Sequence, residues 1–336
     1  MLKIIILALF IIQQSMSGQG FNCSAFIING ENILLAKNFD WALGDGLIFF
    51  NPKNKLKNGI YYKTNKSSWI SKYSSITFNQ FGLNQPLGGM NEEGLTIEEL
   101  STWPVEYPND DNLVLNEFEW IQYQLDKYST TYEVISNIKR TSINKFYFQI
   151  HYLIVDKYGD IAIVEFIRGE PKIYHNETLP YPVLTNNNYS DLIRYSSLVS
   201  ESRFNKLNVN YSQDRFLKIV MLLKRYNDSA DYLYSMNLLD SVQVNDTQWS
   251  IVYDIHAQKI YYKTKSNDNI KGILFSKNLI GDNEFKFIPI GLKKNKFMTL
   301  NLNYNIEYLE DLIMDINMHF GKKGLELVNK INNYLK

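Results

Sequence analysis

Cysteine is almost absent: Cys23 is the only one in 336 residues. No intrachain disulfide can form, so the fold must be held by its own core. Histidine is nearly as scarce, with His151, His175, His256 and His319 scattered along the chain. The sequence has no HExxH, CxxC or GxSxG motif and no glycine-rich phosphate loop. Metal and nucleotide chemistry therefore have no motif behind them, and no cofactor or metal ligand is expected. A surplus of one charge is also missing, since 35 Lys+Arg face 35 Asp+Glu. That balance argues against a nucleic-acid binder, which needs basic groups to neutralise phosphates. It argues equally against electrostatic attachment to a membrane surface. Apart from Ile4 to Ile12 there is no long apolar run, and that one is too short to cross a bilayer, so no membrane anchor is expected. Repeats, low-complexity stretches and linkers are absent as well.

What is present begins with a leader. Lys3 precedes the apolar run, and Gln13 to Gly20 is polar and small, the pattern of a secretory signal. Gly18 and Gly20 suit signal peptidase, as do Ser15 and Ser17. Residues 1–22 are read as a removed leader and 23–336 as one domain, secreted or periplasmic, long enough to bury a large core. A lone cysteine in an oxidising compartment is a liability unless it is buried or used. The place of Cys23, a few residues past the cleavage point, points to use. As residue one it would carry its own base, because a thiol titrates at about 8.5 and an α-amine at about 7.7 to 8. The amine takes the thiol proton and the thiolate attacks a carbonyl, with no histidine needed.

Alternation predicts strands over Cys23 to Ile28 and Ile33 to Lys37, joined by a turn at Asn29-Gly30. Further strands are expected at Ile76 to Phe81, Gly94 to Leu100, Phe146 to Val155, Ile161 to Phe166, Pro171 to Tyr174, Pro182 to Thr185, Trp249 to Asp254 and Lys259 to Thr264. Helical spacing covers Leu113 to Tyr128, Thr131 to Lys139 with Thr131 as cap, Arg215 to Tyr226, and a tail from Tyr308 to Leu335 interrupted near Gly321 and Gly324. Strands, then helices, then strands again indicate an α+β layered fold.

Several short blocks carry a resemblance. Cys23-Ser24-Ala25-Phe26 is followed by Ala36-Lys37-Asn38-Phe39-Asp40-Trp41. Trp69-Ile70-Ser71-Lys72-Tyr73-Ser74-Ser75, Gly89-Met90-Asn91-Glu92-Glu93-Gly94-Leu95 and Val183-Leu184-Thr185-Asn186-Asn187 come next. Asp214-Arg215-Phe216, Thr247-Gln248-Trp249 and Val252-Tyr253-Asp254 complete the series, in order. Together they resemble the choloylglycine hydrolase family, cysteine N-terminal nucleophile amidases that include bile salt hydrolases and penicillin V acylases. The short stretch between Asn186 and Arg215 is more similar to the Gram-negative penicillin V acylase branch.

The resemblance implies a four-layer αββα sandwich that hydrolyses a linear, non-peptide amide of a small N-acyl compound through an acyl-thioester. It implies Cys23 as nucleophile, Asp40 as acceptor and orienter of its α-amine, and Asn186 as oxyanion donor. Arg215 would lie near the nucleophile, tying the aspartate in place and favouring thiolate. Lys37 stands where the family usually has arginine; it keeps the charge without the bidentate fork and can lower the thiol pKa as a point charge. Ser101 stands where relatives have asparagine, tyrosine or tryptophan, which opens space or lets Trp103 fill it. Family members are often homotetramers, and the short loop after Asn186 implies a different or looser assembly.

Two expectations come from the residues themselves. Glu98 and Glu99 share a strand, whose alternation sends one to each face; they would either solvate a strand end or offer a carboxylate to a cationic substrate. Trp41, Trp103 and Tyr107 could form an aromatic wall for an acyl group. The substrate is open among phenoxyacetyl amides, N-acyl homoserine lactones, bile salts, and N-acyl amino acids or lipids, with an apolar acyl group favoured. Removing Phe21-Asn22 needs a second trimming step. The alternatives are acyl transfer from the same intermediate, or an inactive binding protein on the same fold.

Overall fold

The computed structural model describes residues 22–60, 67–108, 113–225, 231–276, 279, 281, 283–293 and 296–335. The signal segment falls almost wholly outside them. In chain order the strands are β1 (Ser24–Asn29), β2 (Ile33–Asp40), β3 (Leu47–Asn51), β4 (Leu56–Asn58), β5 (Ser68–Ile70), β6 (Ser75–Asn79), β7 (Pro86–Asn91), β8 (Thr96–Ser101), β9 (Leu113–Leu115), β10 (Thr141–Ile143), β11 (Ile150–Val155), β12 (Ile161–Ile167), β13 (Glu170–His175), β14 (Val183–Leu184), β15 (Thr247–Asp254), β16 (Lys259–Thr264), β17 (Asn267–Leu274), β18 (Lys286–Pro289) and β19 (Met298–Thr299).

These pair into a six-stranded sheet, β14-β1-β2-β15-β16-β17, and a nine-stranded sheet, β13-β12-β11-β8-β7-β6-β3-β18-β19. The sheets face each other across an apolar core, where Phe78 of one meets Tyr253 and Tyr262 of the other edge-on at 6.2 and 5.8 Å. On the outside, the helix Glu117–Lys127 packs on β7 and β8. The helices Ser212–Leu223 and Tyr232–Ser241 cover the other sheet, on β1 and β14 and on β2 and β15. Helix, sheet, sheet, helix is the αββα order. Every residue of Ile33–Asp40 is buried because one face of β2 meets a sheet and the other meets helices.

Boundaries moved where side chains claimed the backbone. Leu113 to Leu115 form β9, parallel to β10, and do not begin the helix. That helix starts after Asn116, whose side chain caps Phe118 and Glu119 while Glu119 reaches back to it. Thr130, not Thr131, caps the helix Thr131–Asn137 in a box with Glu133. Strand β11 begins at Ile150, not at Phe146, because the N–H groups of Phe146, Tyr147 and Phe148 all donate to the buried Glu117 carboxylate. The helix anticipated at Arg215 starts a turn earlier and ends at Leu223; Tyr226 lies outside the described residues. The tail is helical over Leu302–Phe320 and Leu325–Leu335, broken at Gly321–Gly324. Among the described residues no helix is long and apolar enough to cross a membrane.

Candidate active site

Strand register gathers four of the anticipated residues at one end of the sandwich. Cys23 immediately precedes β1, and Ser24 pairs with Asn38 near the end of β2, which closes on Asp40. Asp40 pairs with Thr247 at the start of β15. On the other side of β1, Ala25 pairs with Leu184, which puts Asn186 just beyond the strand end. Ser101 ends β8 in the facing sheet.

Cys23 is fully buried. Burial pushes its thiol well above the ordinary range; the Lys37 charge is the strongest opposing influence, while Glu99 and Asp40 push further up. The residue before it is also held, since the Asn22 N–H donates to the Asp40 carbonyl at 2.8 Å. Burial raises the Asp40 carboxyl to about 7 against the pull of its Thr247 hydrogen bond and of Arg215 and Lys37. The Thr247 hydroxyl donates to Asp40 Oδ1. Asp40 Oδ2 is buried and has no hydrogen-bond partner among the described residues.

Arg215 is 1% exposed and acts as a clamp. Its Nε donates to Ser24 Oγ at 2.9 Å, Nη1 to Val209 O at 2.8 Å and Nη2 to Asn186 Oδ1 at 2.8 Å. Nη2 also lies 3.4 Å from Asn22 O and 3.5 Å from Cys23 O. Asn186 Nδ2 donates to Ser101 O at 2.9 Å, so the amide is fixed from both ends. Arg215 acts on Asp40 through charge, and Thr247 supplies the hydrogen bond that ties the carboxylate. The Thr247 block was visible in the sequence; its role was not.

Glu98 and Glu99 depart from the alternation expected of them. Both are buried, and both carboxylates reach Lys37 Nζ, at 2.8 and 3.2 Å. Glu98 manages this by lying over Gly88, its register partner, where an added Cβ would sit 2.2 Å from the carboxyl carbon. Tyr253 Oη donates to Glu98 Oε1 at 2.6 Å. Burial works against the Lys37 charge, but the two glutamates overcome it and hold the ammonium above the usual lysine range. Burial in turn raises Glu99 to about 7. The two carboxylates thus face a cation of the protein itself and do not form a solvated strand end.

The anticipated aromatic wall divides. Trp41 is 5% exposed, stacked on Phe320 and edged by Phe39, Phe81 and Phe148. Tyr107 is tied to the start of β11, donating to Phe148 O and accepting from the Ile150 N–H. Trp103 is 60% exposed and does not fill the space beside Ser101, which is itself buried.

One further residue escaped the sequence reading. His151 on β11 is fully buried; its Nε2 donates to Thr185 O at 2.8 Å, one residue before Asn186. Its Nδ1 lies 3.1 Å from Glu165 Oε1, which also accepts the Tyr189 N–H at 2.7 Å. Glu165 is held below the ordinary carboxyl range; burial would raise it, but its bond to His151 and the imidazole charge prevail. The pair braces the segment carrying Asn186 from behind. Replacing His151 by Ala leaves Glu165 buried without its charge partner, and a loss of about 3 kcal/mol in unfolding free energy is expected from urea denaturation. No spacing signal marks this pair, since its members meet only through sheet register. Among the described residues no cluster of three or more metal-ligating side chains occurs.

The architecture is that of the N-terminal nucleophile hydrolases. The chain superposes on a penicillin V acylase from Agrobacterium tumefaciens with TM-score 0.69 and 21% identity, covering 83% of this chain and 98% of that one. A conjugated bile acid hydrolase from Clostridium perfringens superposes with TM-score 0.67 and 20% identity, over 83% of this chain and 99% of that one. A penicillin V acylase from Pectobacterium atrosepticum is 23% identical over 300 residues, 74% of this chain and 79% of its own. Residues 23–287 match the model of the linear amide C-N hydrolases, choloylglycine hydrolase family, and the chain belongs to that family. It is a hydrolase of carbon–nitrogen bonds in linear amides.

Proposed function

We propose that the mature protein is a secreted or periplasmic amidohydrolase that begins at Cys23 and cleaves small N-acyl amides with an apolar acyl group. The supporting observation is Asp40 Oδ2, a buried carboxylate oxygen that has no hydrogen-bond partner among the described residues in a chain that still carries Asn22. Removal of residues 1–22 creates an α-amine at Cys23, beside Asp40, and gives that oxygen a donor.

The amine then takes the Cys23 thiol proton, and the thiolate adds to the substrate carbonyl. Asn186 Nδ2 donates to the oxyanion, held in aim by Arg215 on one side and Ser101 O on the other. The protonated amine gives its proton to the departing nitrogen, the C–N bond breaks, and the acyl group remains as a thioester on Cys23. Water, deprotonated by the same amine, adds to the thioester; acid leaves and the thiol is restored. Lys37 stabilises the thiolate as a charge and takes no proton.

The test is rapid quenching of the mature protein with a chromogenic N-acyl amide, followed by intact mass. A chain starting at Cys23 that gains one acyl group, with free acid accumulating, is the expected result. An added amine that diverts the acyl group away from acid would make the protein an acyltransferase. An unmodified chain and no acid from a panel of acyl amides would sink the hydrolytic reading.

A further inference from the structure

We infer that Phe320, at the end of the helix Leu302–Phe320, is a specificity-determining residue that closes the apolar end of the site over Trp41. This rests on the amidase reading above. The match to the family stops at residue 287, so this helix lies beyond it.

Trp41 directly follows Asp40 and is pinned by its backbone: its N–H donates to Asp246 O at 2.9 Å and its carbonyl accepts from Gln248 Nε2 at 2.6 Å. The indole therefore sits at a fixed distance from the catalytic end of β2. Phe39, Phe81 and Phe148 stand against it with centroids at 6.5, 5.9 and 6.2 Å, all steeply inclined. All three belong to the sandwich, and Phe148 sits on the segment that Glu117 gathers in. Phe320 lies flat on the indole, at 5.8 Å and 25°. It is half-buried over a Trp41 that is 5% exposed, so it forms the outer layer.

The helix that brings it there is anchored independently of that contact. Asn305 Oδ1 accepts the Leu83 N–H at 2.9 Å, and Tyr308 Oη donates to Gln80 O at 3.0 Å. Leu309 packs on Gly82, whose φ of +80° and lack of a Cβ let the helix approach. Leu312 and Ile316 are buried in the core. Phe320 is thus delivered to the indole by a helix already fixed elsewhere. An acyl chain extending along the Trp41 face meets the Phe320 ring, so the site favours a short or compact apolar acyl group. Removing the ring vacates the place it holds on the indole, where a longer or aromatic acyl group can stack instead.

The test is kcat/KM for amides sharing one leaving amine with straight acyl chains of rising length, on the native enzyme, Phe320→Ala and Phe320→Leu. Preference for long over short chains should rise about tenfold in Phe320→Ala, expressed mainly in KM, with Phe320→Leu between. An unchanged length ratio in active variants would overturn the assignment and leave Phe320 a packing residue. If the native enzyme turns over no acyl amide, it is the amidase reading that fails. Phe320 is then read by calorimetry of fatty acids of rising length binding to Cys23→Ala protein with and without Phe320→Ala. A shift of best-bound length towards longer chains supports the cap; identical profiles remove it.

Discussion

A chain that keeps Asn22 ahead of Cys23 should turn over acyl amides about a thousandfold more slowly than one that begins at Cys23. Burial holds the thiol well above its ordinary range, and Lys37 only moderates this, so near neutral pH the sulfur keeps its proton. A base must take it. His151, buried behind Asn186, has both ring nitrogens committed to Thr185 and Glu165. With Asn22 attached, the nitrogen of Cys23 is an amide and cannot accept a proton. The comparison needs two proteins of verified mass, one starting at residue 23 and one at residue 21, and initial rates on one substrate. Equal rates would remove the α-amine from the mechanism. The Asp40 carboxyl, raised to about 7 by burial, adds a pH signature. A carboxyl raised on folding stabilises the fold below its unfolded pKa of about 3.9, and that contribution is lost as pH rises through about 7. The Asn22-bearing form should therefore lose stability between those values. In a chain that begins at Cys23 the α-amine would give Asp40 a donor, and that window should narrow.

Lys37→Met is expected to cost about 3 to 5 kcal/mol of stability at pH 8. The substitution leaves Glu98 and Glu99 buried together without the ammonium that now lies 2.8 and 3.2 Å from them. Burial already raises both, and Glu99 to about 7 with Lys37 in place. Without Lys37 they rise further, so near neutral pH folding must bind protons. Groups raised in this way stabilise below the unfolded value of about 4.3 and lose that contribution as pH rises. The deficit should accordingly be smaller at pH 5 than at pH 8, measured by urea denaturation at both. Equal losses would mean that lost packing of the lysine stem, and not unpaired charge, sets the cost. The same variant should alkylate more slowly at Cys23, because the charge that most favours the thiolate is gone.

The residues of the candidate site could be singled out in advance because they sit in short blocks with distinctive neighbours. Cys23, Lys37, Asp40, Asn186 and Arg215 lie together at one end of the sandwich. Other blocks of the same resemblance prove to be structural knots. Trp69 Nε1 donates to the buried Asp126, and Asn91 holds four backbone groups around the end of β7. What stayed hidden depends on register between distant strands. The bond from Thr247 to Asp40, the meeting of Glu98 and Glu99 at Lys37, and the brace of His151 on Thr185 cannot be read from any local spacing. Strand alternation placed the two glutamates on opposite faces, and one strong buried cation overrode it. The start of β11 was misplaced for a similar reason, since Glu117 takes three N–H groups that alternation assigns to a ladder.

The order in which the chain is made bears on the clamp around Cys23. The thiol is among the first groups of the domain to be synthesised, yet Arg215 meets Ser24 across 191 positions and Thr247 meets Asp40 across 207. Until β15 has docked beside β2, the cysteine has neither its oriented partner nor its enclosure. A nascent or half-folded chain therefore holds Cys23 outside the clamp, and its burial is complete only once the later strands of the six-stranded sheet are in place. The end of the sandwich that holds Cys23 is in this way a late product of synthesis, because the groups that enclose it are contributed by parts of the chain about two hundred positions apart.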